Sequence, residues 1–219
     1  MPNGETLTIL QDLSLEIESG QILGILGVSG SGKSTLLALL AGLDIPTQGA
    51  VFWDNTNLNN LDEDGRAHLR LHKAGFVFQS FELLPAYTAY ENVLLPLELL
   101  DEKSSRDATG TSITIEEKAI QCLREVGLEK RLHHYPNQLS GGEQQRVAIA
   151  RAFALEPKVL FADEPTGNLD EKTGTHVIEL LNNLNKMHKT TLICVTHDPA
   201  LSRMCQKVLH LSGGQLSST

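Results

Sequence analysis

Hydrophobic and polar positions follow two different patterns along the chain. Residues 13–19 alternate apolar and polar side chains, and this period of two predicts a half-exposed antiparallel strand. Other short runs are apolar without alternation, which is typical of strands that are buried on both faces of a parallel sheet. Four runs of this second kind occur, at residues 22–26, 75–78, 159–162 and 191–195.

Helical patterns lie between these predicted strands. Apolar residues recur at helical spacing in five segments, at residues 33–42, 62–72, 117–126, 142–155 and 171–188. Because strands and helices alternate along the chain, the sequence predicts an α/β fold with a parallel sheet.

The middle of the chain breaks this alternation. Residues 86–138 are helical in pattern and contain no buried strand. We predict a single domain over residues 1–219, with a core of residues 1–85 and 139–219 and an inserted helical subdomain of residues 86–138. The polar run at residues 101–112 has no large apolar side chain, so it is predicted to be a solvated loop. A recognition loop is the alternative for this run.

Composition and charge narrow the class of partner. The formal net charge of −9 argues against nucleic acid as a partner, because phosphate-backbone binding leaves a basic footprint on a protein. A free nucleotide is not excluded, since a local pocket can bind it against the overall charge. No apolar run approaches the roughly 20 residues of a membrane-spanning helix. Work at a membrane would therefore require another chain to cross it.

A glycine-rich loop follows the first buried strand. Residues 27–34 read G-V-S-G-S-G-K-S, the full G-x-x-x-x-G-K-S pattern. Glycines let successive backbone N–H groups converge on phosphate oxygens, and the helix that begins near Lys33 points its positive dipole end at the same place. Lys33 is expected to reach the β- and γ-phosphates and Ser34 to hold Mg²⁺. A plain glycine-rich turn is the alternative.

Polar side chains also follow the other three buried strands. Asp163 and Glu164 end one strand, Gln79 follows another, and His197 follows the last. Ligands of parallel sheets bind beyond the carboxyl ends of the strands, so these side chains are expected at one edge with the phosphate loop. Asp163 is suited to hold Mg²⁺, and Glu164 to polarise an attacking water. The alternatives are a helix cap for the two acids and a structural role for the histidine.

A second candidate anion site opens the helix predicted after residue 140. The segment at residues 139–152 reads L-S-G-G-E-Q-Q-R-V-A-I-A-R-A, so Ser140, Gly141 and Gly142 precede a helix start with exposed N–H groups. One nucleotide does not need two phosphate cradles. The economical explanation is that this second cradle serves a nucleotide held by another copy of the chain.

Together these motifs identify a family by resemblance. "GVSGSGKST", "LSGGEQ", "LFADEP", "GNLD" and "VTH" occur in the order found in the nucleotide-binding subunits of ABC transporters, which the chain resembles from about residue 7 to residue 216. Within that superfamily it resembles the LolD, MacB and YbbA group, and YbbA-type ATPases most of all. The resemblance implies a P-loop NTPase (RecA-like) parallel-sheet core with an N-terminal antiparallel β subdomain and an inserted α-helical subdomain.

The resemblance also implies roles for individual residues. Asp163 would be the Walker B metal carboxylate, Glu164 the general base, His197 the switch histidine and Gln79 the residue that touches Mg²⁺ and relays to the membrane partner. Asp170 would belong to the dimer-contact loop. The Walker A loop would hold the nucleotide through Gly27, Val28, Ser29, Gly30, Ser31, Gly32, Lys33, Ser34 and Thr35. The signature residues Ser140, Gly141, Gly142 and Gln144 would bind it across a dimer.

Substrate, cofactor and partners are implied in the same way. The family hydrolyses ATP with Mg²⁺ as a sandwich dimer and energises an integral-membrane permease, here of the lipoprotein-release or macrolide-export type. The expected location is cytoplasmic, peripheral on the cytoplasmic face of the inner membrane. Two alternatives remain: a non-transport ABC ATPase of translation, DNA repair or chromosome maintenance, and a regulatory scaffold of the cell-division type with slow turnover.

The chain departs from the family at the adenine contact. Family members commonly stack adenine on an aromatic residue shortly before the Walker A loop, whereas residues 1–26 contain no Phe, Tyr, Trp or His. The sequence therefore predicts the phosphate contacts and leaves the adenine contact open.

An apolar segment after Gln79 is a candidate docking surface for the permease. Pro85 argues against a continuous helix through it, and apolar side chains on a loop serve either a local core contact or a partner helix. We expect docking, because the segment begins at a residue that would sense the nucleotide. The segment contains Phe81, Leu83, Leu84, Pro85, Tyr87 and Tyr90.

Overall fold

The four apolar runs form four adjacent strands of a six-stranded sheet in the computed structural model, which describes residues 7–100, 104–106 and 112–218. The strands are β1 (Ile22–Leu26), β2 (Phe52–Trp53), β3 (Thr56–Asn57), β4 (Ala74–Phe78), β5 (Ser104–Arg106), β6 (Ser112–Thr114), β7 (Val159–Asp163), β8 (Thr191–Thr196), β9 (Lys207–Ser212) and β10 (Gln215–Ser218). The helices are α1 (Lys33–Leu40), α2 (Glu63–Lys73), α3 (Ala89–Leu99), α4 (Ile115–Glu125), α5 (Gly141–Phe153), α6 (Glu171–His188) and α7 (Pro199–Ser202). All five predicted helical segments are confirmed to within a few residues.

Both faces of the sheet are buried, which explains why its central strands do not alternate. The strands lie in the order β10-β9-β1-β8-β7-β4, and every pairing is parallel except that of β9 with β10. Along β7, Leu160 and Ala162 belong to the apolar cluster on one face, and Phe161 belongs to the cluster on the other. Helices α5 and α6 cover the first face and α1 covers the second, so each strand position needs an apolar side chain.

Helices α3 and α4 extend the first of these clusters away from the sheet. Val93 and Leu123 are fully buried in the same cluster as Leu160. The buried Lys118 of α4 forms an ion pair with Glu156, in the turn between α5 and β7. The region predicted to be helical is therefore joined to the sheet by continuous packing and by a charged contact.

The predicted strand at residues 13–19 is wrong. Leu13, Leu15 and Ile17 do pack against the cluster on the α1 face, and the exposure of the segment alternates as its sequence does, but no strand forms there. Alternation reports which side chains face a core, whereas a strand also needs a neighbouring backbone to pair with. The antiparallel pairing of the N-terminal half is the short β2–β3 hairpin instead.

The predicted solvated loop at residues 101–112 is also partly wrong. Strands β5 and β6 pair as an antiparallel hairpin, with Ser105 opposite Ile113. Residues 101–103 and 107–111 of this run lie outside the described residues. Polar composition alone misses such a hairpin, because strand prediction from sequence relies on alternating apolar side chains, which this run lacks.

Strands β9 and β10 were not predicted, although the sequence carries a signal for them. Gly213 and Gly214 both have positive φ, at 55° and 77°, and connect the two strands as a tight turn. A Gly-Gly pair between short apolar runs is a hairpin signal. In the part of the chain that the structure describes, no helix is long and apolar enough to cross a membrane.

Candidate functional site

The register of the sheet places the ends of four strands side by side. Leu26 of β1 pairs with Thr196 of β8, Asp163 of β7 pairs with Val195 of β8, and Phe78 of β4 pairs with Asp163. The segments after these strands begin with Gly27, His197, Glu164 and Gln79. The structure therefore brings the four predicted polar strand ends to one edge of the sheet, in that order across it.

The loop at residues 27–34 is curled around its own lysine. Lys33 Nζ donates to the carbonyl oxygens of Gly27 at 2.8 Å and Val28 at 3.1 Å. Gly32 occupies the position before α1 with φ of 98°, a left-handed conformation that favours glycine, and no side chain caps the helix start. The first N–H groups of α1 are thus left for a ligand, and an ammonium stands beside them. This is an anion-binding arrangement.

A close approach explains the first glycine of the loop. A Cβ atom on Gly27 would lie 2.5 Å from the carbonyl oxygen of Leu211 and 2.6 Å from Ser31 Oγ. The Ser31 hydroxyl is buried and has no hydrogen-bond partner in the part of the chain that the structure describes. A buried orphan hydroxyl inside a phosphate loop points to a missing polar ligand.

Asp163 and Ser34 offer the oxygen ligands of a hard cation. Burial raises the pKa of Asp163, and a hydrogen bond from Ser34 and the charge of Lys33 oppose that shift. A carboxylate and a hydroxyl are ligands that Mg²⁺ prefers, and a cation on this half-buried carboxylate would offset its burial. These residues therefore fit Mg²⁺.

The Glu164 carboxylate is fixed by contacts on both oxygens. Its Oε1 atom lies 2.9 Å from His197 Nδ1, and its Oε2 atom accepts from the Thr196 hydroxyl at 3.0 Å and from the His197 N–H at 3.2 Å. Since a carboxylate only accepts, the His197 proton in this contact lies on Nδ1. Glu164 also has φ of 45°, a conformation that a glutamate holds only where its surroundings impose it.

Thr196 is a functional candidate that the sequence reasoning missed. Its side chain is fully buried, and its hydroxyl both donates to Glu164 and accepts from the Asp198 N–H at 3.0 Å. A threonine at the end of a buried strand resembles any other strand residue in sequence. The sequence signal for a functional role is its position at the end of a buried strand, directly before the candidate residue His197.

We expect Thr196→Val to lower kcat by about tenfold with KM for ATP changed less than twofold. The substitution keeps the side-chain shape but removes the donor that holds Glu164 Oε2, and a hydrogen bond to a charged group contributes about 1.5–3 kcal/mol. Thr196→Ser keeps the hydroxyl and is the matched control. Phosphate release at saturating ATP measures the effect, and equal rates for the Val and Ser variants would contradict it.

The signature segment forms the start of α5. Ser140 caps the helix, and its hydroxyl and N–H both donate to Glu143 Oε2, at 3.0 and 2.9 Å. The Ser140 N–H, with Arg131 at 2.9 Å, holds the pKa of Glu143 at about 2. The lowered pKa keeps Glu143 ionised, and the guanidinium of Arg131 beside it offsets a negative charge that would otherwise repel an anion at this helix start.

Packing behind the signature is tight. A Cβ atom on Gly142 would overlap the Thr173 methyl group of α6, so any larger residue there would force Thr173 to move. Gln144 donates to the Leu139 carbonyl oxygen at 3.1 Å. Asp170 caps α6, and hydrogen bonds from Thr173 lower its pKa. Among the described residues, no hydrogen bond or ion pair joins the signature to the loop at residues 27–34.

Comparisons with known proteins identify the family. The pattern of the ABC transporter family matches residues 10–167. The chain belongs to the ABC transporter family. It is 52% identical over 210 residues to the uncharacterized ABC transporter ATP-binding protein YbbA of Escherichia coli K12, covering 96% of this chain and 89% of that protein. It is 48% identical over 211 residues to the lipoprotein-releasing system ATP-binding protein LolD of Legionella pneumophila, with the same coverage.

Solved structures of ABC cassettes resemble the chain along its length. The dimeric, post-hydrolysis structure of the ATP-binding cassette MJ0796 bound to ADP and Pi matches with a TM-score of 0.85 and 41% identity, covering 98% of this chain and 92% of that one. The predicted family, cassette fold and class of ATP hydrolase are thus confirmed. So are ATP with Mg²⁺ and the two kinds of partner expected for an ABC subunit, a second copy and a membrane permease.

Proposed function

We propose that the chain is the ATP-hydrolysing subunit that energises an inner-membrane permease of the lipoprotein-release or macrolide-export type. The observation that carries the proposal is the Glu164 carboxylate, held by Thr196 and His197 at the same sheet edge as the phosphate loop. The likeness to LolD supports the type of permease. The chain is then expected on the cytoplasmic face of the inner membrane, without crossing it.

Each part of the edge has its own task in this proposal. The N–H groups of residues 27–35 and the Lys33 ammonium bind the phosphates. Ser34, Asp163 and the Gln79 amide oxygen would hold Mg²⁺, and the bound cation would neutralise phosphate charge. Glu164 accepts the proton of the attacking water, and His197 keeps the Glu164 carboxylate aimed. The hydrogen bonds from Thr196 and His197 to Glu164 support the last two roles, because a fixed base loses little entropy in reaching its water.

A second copy completes the site in the proposal. The signature residues Ser140, Gly141 and Gly142 contact the γ-phosphate held by the other copy, and Gln144 binds the same nucleotide. Asp170 lies at the contact between the two copies. The absence of any hydrogen bond between the signature and the phosphate loop within the described part of one chain supports this division. We also propose the division of the fold into a core of residues 1–85 and 139–219 and a helical subdomain of residues 86–138.

The proposed docking surface divides into buried and exposed side chains. Leu83 and Tyr90 pack against the core, whereas Leu84 and Tyr87 are 38% and 41% exposed. The buried Asn92 side chain accepts from the Leu84 N–H at 2.9 Å and donates to the Tyr87 carbonyl oxygen at 3.0 Å. The hydrogen bonds of the buried Asn92 thus fix the loop backbone, while the side chains of Leu84 and Tyr87 remain exposed. We propose that Leu84 and Tyr87 contact the permease.

The test of this role is co-purification. We expect the Leu84→Ser/Tyr87→Ser double variant to fold and hydrolyse ATP at its basal rate, and to lose co-purification with a multi-span membrane protein by at least tenfold. Met187→Ser is the matched control, because Met187 is 63% exposed on α6 and lies outside the docking surface. Full recovery of the membrane protein with the double variant would contradict the proposed docking surface.

A further inference from the structure

The side chain of Gln79 is paired with one residue of the loop that follows Glu164. Gln79 Nε2 donates to Asn168 Oδ1 at 3.0 Å, and Asn168 Nδ2 donates back to the Gln79 backbone oxygen at 2.9 Å. The fit beside them is close, because a Cβ atom on Gly167 would lie 2.8 Å from Gln79 Nε2. None of the motifs or roles described above assigns a role to Asn168.

This pairing determines which end of the Gln79 amide is free. The Gln79 backbone oxygen can only accept, so the Asn168 end that meets it is the NH₂ group. The Asn168 oxygen then faces the Gln79 side chain and requires a donor there. Gln79 must therefore turn its NH₂ group toward Asn168, and its amide oxygen is the atom left over. No donor within the described residues reaches that oxygen.

An oxygen is also the end of the amide that a magnesium site needs. Mg²⁺ binds oxygen ligands and does not accept an NH₂ group in their place. Gln79 stands one residue beyond Phe78, which pairs with the metal-site residue Asp163 across the sheet. An amide that turned over at this position would present hydrogens to the cation.

We propose that Asn168 is a positioning residue that holds the Gln79 amide with its oxygen toward the Mg²⁺ site. The inference rests on the proposed role of Gln79 as a magnesium ligand. Asn168 acts through Gln79 and touches neither nucleotide nor metal. Because it lies between Glu164 and Asp170, the same short loop connects the base, the metal ligand and the contact with the second copy.

The test compares nucleotide affinity with and without Mg²⁺. The protein is titrated calorimetrically with the non-hydrolysable analogue AMP-PNP, once in EDTA and once in excess Mg²⁺, and the ratio of the two affinities is the magnesium gain. We expect Asn168→Ala to reduce this gain by about 2- to 5-fold, since the exposed hydrogen bond that orients the Gln79 amide is lost together with the bond to the Gln79 backbone. Affinity in EDTA should not change, which shows that the variant is folded and binds phosphate.

The variants Gln79→Ala and Asn168→Ala/Gln79→Ala separate the two hypotheses. We expect Gln79→Ala to reduce the magnesium gain at least as much as Asn168→Ala does, and the double variant to match Gln79→Ala. A wild-type gain in Gln79→Ala would overturn the metal role of Gln79 and this inference with it. A wild-type gain in Asn168→Ala alone, or a further loss in the double variant, would overturn the inference and leave the role of Gln79 standing.

Discussion

Glu164→Gln should abolish steady-state ATP hydrolysis while ATP binding persists. The amide keeps the shape of the side chain, and its oxygen can still accept from Thr196, but it cannot take a proton from water. Removing a general base costs about 10²- to 10⁴-fold in rate. Phosphate release measures the loss. Because this variant does not hydrolyse the ATP that it binds, the ATP-bound dimer should accumulate. Static light scattering should detect that dimer.

The control for this variant is the same Glu-to-Gln substitution at another position. Glu171 is exposed in the first turn of α6, so Glu171→Gln removes one negative charge without touching the sheet edge. Turnover in this variant should equal that of the wild type. Near-wild-type turnover in Glu164→Gln would show that Glu164 is not the base. Lost turnover without a trapped dimer would argue against the sandwich arrangement.

Lys33→Ala should weaken ATP binding itself, by roughly 10- to 100-fold. A hydrogen bond between a charged donor and a charged acceptor contributes about 1.5–3 kcal/mol, and tenfold in affinity corresponds to about 1.4 kcal/mol. Lys33 also donates to Gly27 and Val28 inside its own loop, so its loss loosens the phosphate cradle as well. Isothermal calorimetry with AMP-PNP measures the change.

A distant lysine controls for net charge in this experiment. Lys172 is exposed on α6, and Lys172→Ala should leave the affinity within a factor of two. The two large effects are thus opposite in kind, since Glu164→Gln keeps binding and loses turnover, whereas Lys33→Ala loses binding first. Unchanged affinity in Lys33→Ala would contradict the assignment of the phosphate loop.

The sheet and its polar edge could be predicted because both depend on local patterns. Strands buried on two faces need unbroken apolar runs, and the carboxyl ends of parallel strands meet at one edge whatever their order. The order itself, with β1 between β8 and β9, was not predicted. Because the four buried runs are similar in composition, the sequence does not indicate which strand lies next to which.

The errors and omissions arise where tertiary contacts determine whether a strand forms or which partner a side chain binds. Leu13, Leu15 and Ile17 face the core in alternation, as a strand would require. No described backbone segment pairs with them to complete that strand. The proposed roles of Thr196 and Asn168 depend on hydrogen bonds to Glu164 and Gln79, and those bonds exist only after the loops have met. A polar residue beside a motif gives no sign in sequence of the atom that it will hold.

The position of β1 has a consequence for synthesis on the ribosome. Within the described residues β1 pairs with β8 and β9, which follow it at long sequence separation, and the Leu211 carbonyl closes over Gly27. During synthesis the sheet that supports the phosphate loop is therefore incomplete until residues 191–212 have left the exit tunnel. Pairings of such long sequence separation also form slowly. ATP is therefore expected to stabilise the nascent chain only after β8 and β9 have emerged, because the phosphate loop that binds it is incomplete before then.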